Sequence, residues 1–246
     1  MTRIVKPGAA IFINILRRLT QRRIAILLVL ATAAHALLML TFDLTERNFS
    51  EVTVGLFLAV ALPVTSLITA GATLGDERTE NTMPYLLVKP IPRWLVAVSS
   101  LLASVVTVMA VSTLGILLAW WLGARATGDN GTGWPMLVAT VIIAVGYSAV
   151  FVPIGLIARR STLIGLAYIL IWEGIIARVV DGVAASSIWR IGLTAYADLG
   201  GGLPRDVDDL LATLTPGTGG AITKALSLAA LSIGVTTWLL RKRDMA

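Results

Sequence analysis

Residues 135–158 read PMLVATVIIAVGYSAVFVPIGLIA, without a single charged side chain. A run of this length matches the hydrocarbon thickness of a bilayer, which takes about 17–25 apolar residues in a helix. It must be helical, because a segment in lipid has to satisfy its backbone hydrogen bonds internally. Five further runs of the same character lie on either side, at Ile24–Phe42, Val52–Leu74, Trp94–Leu122, Thr162–Val180 and Ala221–Leu240. The expected fold class is therefore an all-α membrane protein of six transmembrane helices, forming one domain over residues 1–246. Composition agrees: 57% of residues are hydrophobic and 14% charged, against about 25% charged in soluble domains.

The net charge of +6 first suggests nucleic acid, but its distribution argues for a membrane instead. Arg3, Lys6, Arg17, Arg18, Arg22 and Arg23 precede the first span, and Arg78, Lys89 and Arg93 lie between spans two and three. Arg159 and Arg160 separate spans four and five, and Arg241, Lys242 and Arg243 follow span six. The alternate loops hold only Arg47, Arg125, Arg178, Arg190, Arg205 and the span-edge Lys224. By the positive-inside rule both termini of this multi-pass protein are expected in the cytoplasm, and the Ala/Val/Leu/Arg-rich composition suggests the bacterial inner (plasma) membrane. The basic excess serves topology and anionic lipid headgroups, and no nucleic acid is expected as a partner. There are no cysteines, which excludes disulfides and thiolate chemistry. Ala34-His35-Ala36 resembles a signal-peptide cleavage site, but more than twenty residues precede the apolar run and Leu37–Phe42 continues it. The segment therefore reads as a retained span.

Residues 7–20 place Ile11, Ile15 and Leu19 at helical spacing, with Arg17, Arg18 and Thr20 off that stripe. This predicts an amphipathic interfacial helix before the first span. The outer loops at 43–51 and 123–134 are short. The last outer segment, Asp181–Gly220, is longer and carries Trp189, Tyr196, a Gly200-Gly201-Gly202 hinge and Asp206, Asp208 and Asp209. It predicts one or two short outer helices lying on, or dipping into, the leaflet before helix six. The aspartates lack the glycine and distal glutamate of a calcium loop and fit the first turn of a surface helix better. No internal repeat is evident.

Catalysis by the chain itself finds no support. No glycine-rich loop ends in Gly-Lys-Ser/Thr, as nucleotide binding requires, and His35 is the single histidine, too few for a His-Glu-x-x-His metal site. No catalytic residue, metal or bound cofactor is expected. Glu173, in Ile171-Trp172-Glu173-Gly174-Ile175, is the sharpest buried charge. A carboxylate within a span is costly and marks either a transport path or a structural pair. Pro63 and Pro153 interrupt spans two and four, freeing backbone carbonyls in kinks that suit either a gate or a static bundle. Gly71-Ala72-Thr73-Leu74-Gly75 has the Gly-x-x-x-Gly spacing of a close helix contact, a candidate dimer seam.

The link between spans two and three is patterned beyond a connector's needs. It opens with an acidic turn of Asp76, Glu77 and Glu80, with Arg78 among them, which suits a helix N-terminus. Thr82 and Met83 follow, then Pro84 and the short apolar patch Tyr85, Leu86, Leu87 and Val88. Lys89 precedes the rigid Pro90-Ile91-Pro92, and Arg93 re-enters the membrane. The pattern predicts a braced cytoplasmic helix that offers a docking surface, in a link longer than most helix connections.

This segment resembles the cytoplasmic coupling region of ABC-2 type exporter permeases. That family commonly runs Glu-x-x-x-Gly-Thr-Leu-x-x-Leu-Leu, then a basic or polar pair and Pro-hydrophobic-Ser/Pro-Arg. The motif covers residues 76–93, and the layout covers the whole chain. Asn81 stands where the family usually has glycine, and Ser99 and Ser100 lie where a lysine is often found after the arginine. The resemblance implies the permease subunit of an ATP-driven exporter. Its partners would be two copies of a separate ABC ATP-binding subunit, which carry ATP and Mg, and a second permease, identical or related. Asp76, Glu77, Arg78, Glu80, Thr82, Tyr85, Leu86, Leu87, Pro90, Pro92 and Arg93 would receive the motor's stroke. The substrate, a drug, lipid or other small amphiphile, would pass between the two permeases near spans two and five. Two other readings stay open: a proton-coupled secondary transporter using Glu173, and a non-transporting membrane anchor.

Overall fold

A computed structural model describes residues 2–20, 53–79, 91–128, 133–158, 160–177, 186–201, 203 and 217–244. Every element among them is helical. In chain order they are α1 (Thr2–Thr20), a π-helical segment (Thr53–Ala61) running directly into α2 (Leu62–Thr79), α3 (Arg93–Thr127) and α4 (Gly133–Ile157). There follow α5 (Ser161–Ala167), continued by a second π-helical segment (Tyr168–Ile176), then α6 (Ile188–Asp198) and α7 (Gly217–Asp244). Among the described residues four stretches are long and apolar enough to cross a membrane: Thr53–Gly75, Arg93–Leu118, Gly133–Ile157 and Gly217–Lys242. They correspond to expected spans two, three, four and six. The fifth is seen as the shorter apolar helix Ser161–Ile176, and the first, with His35, lies outside the described residues. The described residues thus form helices only, several of them of membrane-spanning character.

Helix α1 begins five residues before the expected amphipathic stretch. Its stripe of Ile11, Ile15 and Leu19 is buried and forms part of the main apolar core. The neighbour is the start of α3: a Cβ on Gly8 would lie 2.9 Å from Leu95 Cδ1, and the Ser99 hydroxyl donates to the Gly8 carbonyl at 3.3 Å. Arg17 and Arg18 remain exposed on the other side.

Helix α4 is the hub, packing against α2, α3, α6 and α7. It is hydrophobic on every side and largely buried, as such a helix is expected to be, though Trp134, Val141 and Ile157 are exposed. Small residues let its neighbours approach. A Cβ on Gly155 would sit 2.6 Å from the Gly71 carbonyl oxygen and one on Gly75 would sit 3.4 Å from that of Gly155. The close contact that Gly71 and Gly75 permit is therefore made inside this chain, between α2 and α4, where a seam between two copies had been expected. Polar contacts join the helices as well: Ser104 on α3 and Ser148 on α4 share a buried hydrogen bond of 2.8 Å.

Pro63 is buried at the second position of α2, where π winding gives way to α. Lacking an N–H, proline cannot continue a hydrogen-bond ladder through that point. Pro153 lies inside α4, which runs unbroken from Gly133 to Ile157. The outward faces of the bundle are apolar, with Leu102, Val106, Leu114 and Leu117 exposed on α3 and Ile222, Leu226, Leu231 and Val235 exposed on α7. Tryptophans mark both ends: Trp94 and Trp238 at one, Trp120, Trp121 and Trp134 at the other. From Trp94 to Trp120 the helical rise is about 39 Å, close to the bilayer thickness with its headgroup layers. Arg125 stacks on Trp121 with its guanidinium carbon 3.9 Å from the ring centroid, and Lys242 lies 5.4 Å from that of Trp238. Both pairs suit interfacial anchors.

Candidate functional site

Glu173 is buried, and what surrounds it is the start of a helix. Ser187 is the N-cap of α6: its hydroxyl accepts from the Arg190 N–H at 3.2 Å and donates to Glu173 Oε2. The backbone N–H of Ile188, the first residue of α6, donates to Glu173 Oε1 at 2.9 Å. A helix start carries four backbone N–H groups with no partner inside the helix and a partial positive charge. The carboxylate meets both needs. Among the described residues, the hydrogen-bonding partners of the Glu173 carboxyl group are hydroxyls and backbone N–H groups.

The π winding of the second segment makes this geometry possible. Tyr168 donates to Glu173 Oε1 at 3.4 Å across five residues of one helix. In an α-helix residues five apart point about 140° away from each other. Where hydrogen bonds run from i to i+5, as in π winding, such residues come onto one face. The Tyr147 hydroxyl also interacts electrostatically with Glu173 but falls short of hydrogen-bond geometry and has no other partner among the described residues. Tyr147, Phe151, Tyr168 and Trp172 form a continuous aromatic ladder beside it, with centroid separations of 5.7, 5.9 and 6.4 Å.

Helix α6 itself is unexpected in its burial. Every residue from Ile188 to Tyr196 is buried, including Arg190, which is 6% exposed. A Cβ on Gly146 would meet Ile188 Cγ2 at 2.6 Å, and one on Gly192 would meet Ile143 Cγ1 at 2.2 Å. Gly146 is near the middle of α4, about 20 Å along the axis from its start. The N-terminus of α6 therefore sits halfway down the bundle, and the helix runs back toward the end where α4 begins. Of the two expectations for this segment, dipping inward describes its helix α6, while residues 181–185, 202 and 204–216 lie outside the described residues.

The other end of α6 is tied by a second remote carboxylate. Asp198 accepts from the Thr218 N–H at 2.9 Å and the Thr218 hydroxyl at 2.6 Å. It thereby caps the start of α7, and these two bonds hold its carboxyl below the usual range. Gly200 adopts a left-handed φ of 90°, and the Gly201 N–H donates to the Tyr196 carbonyl at 2.9 Å. These glycines stop a helix, where a hinge was expected. Gly202, Asp206, Asp208 and Asp209 lie outside the described residues.

The expected coupling residues divide between the described and undescribed parts of the chain. Asp76, Glu77 and Arg78 belong to the last turn of α2, which continues from the apolar span without a break to Thr79. Pro92 is the N-cap of α3, with φ −58° and ψ 129°, and Arg93 is its first residue. Glu80, Thr82, Tyr85, Leu86, Leu87 and Pro90 lie outside the described residues. Glu173, Pro63 and Pro153 are not gathered into one site: Glu173 joins Tyr147, Tyr168 and Ser187, whereas Pro63 lies at the π-to-α junction of the second span. An apolar groove of about 380 Å³ opens between α3 and α4, lined by Thr113, Ile116, Leu117, Trp120, Trp134 and Leu137. Among the described residues no three His, Asp or Glu side chains come together as metal ligands would.

Sequence reasoning missed Ser187 and Ile188, the partners of Glu173. A signal was present, since Ser187 stands directly before Ile188 and Trp189 as an N-cap does. Its pairing with a residue fourteen positions earlier left no local mark. No family model, curated protein or solved structure matches this chain.

Proposed function

We propose that this chain is the permease subunit of an ATP-driven exporter of the ABC-2 type, acting in the bacterial cytoplasmic membrane with both termini inside. Its motor is a separate ATP-binding subunit, present in two copies and carrying ATP and Mg, and its transport path is completed by a second permease. The substrate class is a drug, lipid or other small amphiphile. The observation that carries this reading is mechanical continuity on both sides of residues 80–92. On one side α2 extends past its apolar span through Asp76, Glu77 and Arg78. On the other, Pro92 sets the entry of the 35-residue α3, with φ restricted by its ring. A force on this link would pass into two long helices, and α2 hands it to the hub α4 through the Gly71–Gly155 contact. A solvated connector with loose ends would dissipate the same force.

The alternative of proton carriage by Glu173 gains less from the geometry. Its carboxylate is occupied by Ser187, Ile188 and Tyr168, and such a carboxylate is suited to holding a helix. The deciding experiment is purification of the tagged chain in mild detergent, followed by an ATPase assay on what accompanies it. The control carries Glu80→Ala with Leu86→Asp. A co-purifying ATPase that is lost in the double variant is the expected result. An intact, monodisperse chain that brings down no ATPase would overturn the proposal.

A further inference from the structure

We infer that Glu173 is a latch: its carboxylate, carried on a π-helical turn, holds the inward-dipping helix α6 in place, and release of that carboxylate frees α6 from the bundle. Glu173 is in this sense a positioning residue. The inference stands on the geometry of one chain and does not depend on the exporter reading.

Three observations combine. First, α6 is an 11-residue helix buried from Ile188 to Tyr196. Left to themselves, helices this short are marginal, so its position depends on its packing against α4 and α7 and on its tethers. Second, those tethers are remote carboxylates, one at each end: Glu173 on the N-terminal N–H groups and Asp198 on the start of α7. The Asp198 tether lies at the exposed end of α6. Glu173 is therefore the buried tether, at the deep end. Third, Glu173 reaches α6 from a nine-residue π-helical segment. Such winding is rare, usually limited to single turns, and concentrated at functional sites.

Relaxation of that segment toward α winding changes where residue 173 points. The Tyr168–Glu173 hydrogen bond could not persist, because the two side chains would diverge by about 140°. The carboxylate would swing off Ser187 and Ile188 at the same time. The start of α6 would then be left with uncompensated N–H groups deep in the bundle, a state more favourable in water than in an apolar interior. The first π-helical segment, Thr53–Ala61, also packs against α6, so both π-wound stretches flank the element that moves.

The natural absence of cysteine makes the test direct. Thr194→Cys places a near-isosteric thiol on the buried face of α6, Ala197→Cys one on its partly exposed end, and Ser104→Cys one in the α3–α4 interface. Each is made alone, in nanodiscs, and reacted with a membrane-impermeant maleimide. Ala197→Cys labels quickly in every background, and Thr194→Cys and Ser104→Cys label slowly. Adding Glu173→Gln removes the charge and replaces one of the two acceptor oxygens by an NH2 group, so that only one of the Ser187 and Ile188 donors keeps a carbonyl acceptor. The expected result is labelling of Thr194→Cys at least about tenfold faster, with Ser104→Cys unchanged. Tyr168→Phe, which keeps the carboxylate and the Ser187 cap but deletes the Tyr168 donor to Glu173, should accelerate Thr194→Cys by a smaller factor. It provides the same reading if Glu173→Gln is not recovered as monodisperse protein. Unchanged labelling at Thr194→Cys overturns the latch. So does equal acceleration at Ser104→Cys, because that outcome makes Glu173 a general stabiliser of the bundle. No nucleotide or partner is used, so failure here is separate from failure of the ATPase pulldown.

Discussion

Gly155→Ala tests the packing of the hub against the second span. The added Cβ would lie 2.6 Å from the Gly71 carbonyl oxygen and 3.1 Å from the Gly71 Cα. Both are backbone atoms, which cannot rotate aside. Restoring ordinary contact at about 3.4 Å requires α2 and α4 to separate by roughly 0.8 Å over a close-packed face, and interiors do not absorb such a shift freely. Overpacking of this kind costs typically 1–3 kcal/mol. Alanine also favours a helix over glycine by about 1 kcal/mol, and that gain has to be separated out. Gly234→Ala does so, because Gly234 lies in α7 with nothing within 4 Å of the would-be Cβ. The two variants share the propensity gain and differ in the clash. Gly155→Ala should therefore be less stable than Gly234→Ala by about 1–3 kcal/mol. For a chain of this length that is a melting difference of about 2–12 °C, followed by intrinsic tryptophan fluorescence in detergent. Equal melting temperatures for the two variants would refute the contact between Gly71 and Gly155 as drawn.

Other consequences are accessible to the same assays. In a double-mutant cycle on Ser104→Ala and Ser148→Ala, the coupling should be about 0.6 kcal/mol and not above about 1.7 kcal/mol, the range seen for hydrogen bonds between membrane helices. Ile15→Asp puts a carboxylate on the buried stripe of α1 and should release that helix from α3; trypsin cleavage at Arg17 and Arg18 would accelerate, and an unchanged rate would contradict the docking. Asp198 has a lowered folded pKa because Thr218 donates to it twice. Its stabilising contribution is therefore complete above the unfolded aspartate value of about 3.9 and disappears as pH falls through the lower folded value. Melting profiles between neutral pH and pH 2.5 should show this loss on the acid side, and Asp198→Asn should remove that part of the slope.

The link at residues 76–93 shows how far local pattern can reach. Its Pro-Ile-Pro ending was legible because proline acts on its own backbone neighbourhood, and Pro92 is the N-cap of α3. Its acidic opening had suited a helix N-terminus, yet Asp76, Glu77 and Arg78 close α2 at its C-terminal end, because that helix continues out of the apolar span. Glu173 was legible as costly, since one carboxylate in an apolar run stands out without any knowledge of neighbours. Its compensation was not. Ser187, Ile188 and Tyr147 come to it from other elements, and the five-residue spacing to Tyr168 becomes a contact only in π winding, which sequence periodicity does not reveal.

What the sequence alone determined is the class: apolar runs too long and too uniform for a soluble domain, and so a bundle of membrane helices. The amphipathic stripe of Ile11, Ile15 and Leu19 was equally local, resting on a 3.6-residue repeat. Only the tertiary structure decided that α4 is the hub, that Gly71 and Gly75 face Gly155 within the chain, and that the segment before α7 turns inward. The physical reason is the same in each case. In an apolar solvent, hydrophobicity no longer marks which face of a helix is inside. Contacts are then set by small residues, hydroxyls and unpaired backbone groups, and whether these find partners depends on elements far away in the chain.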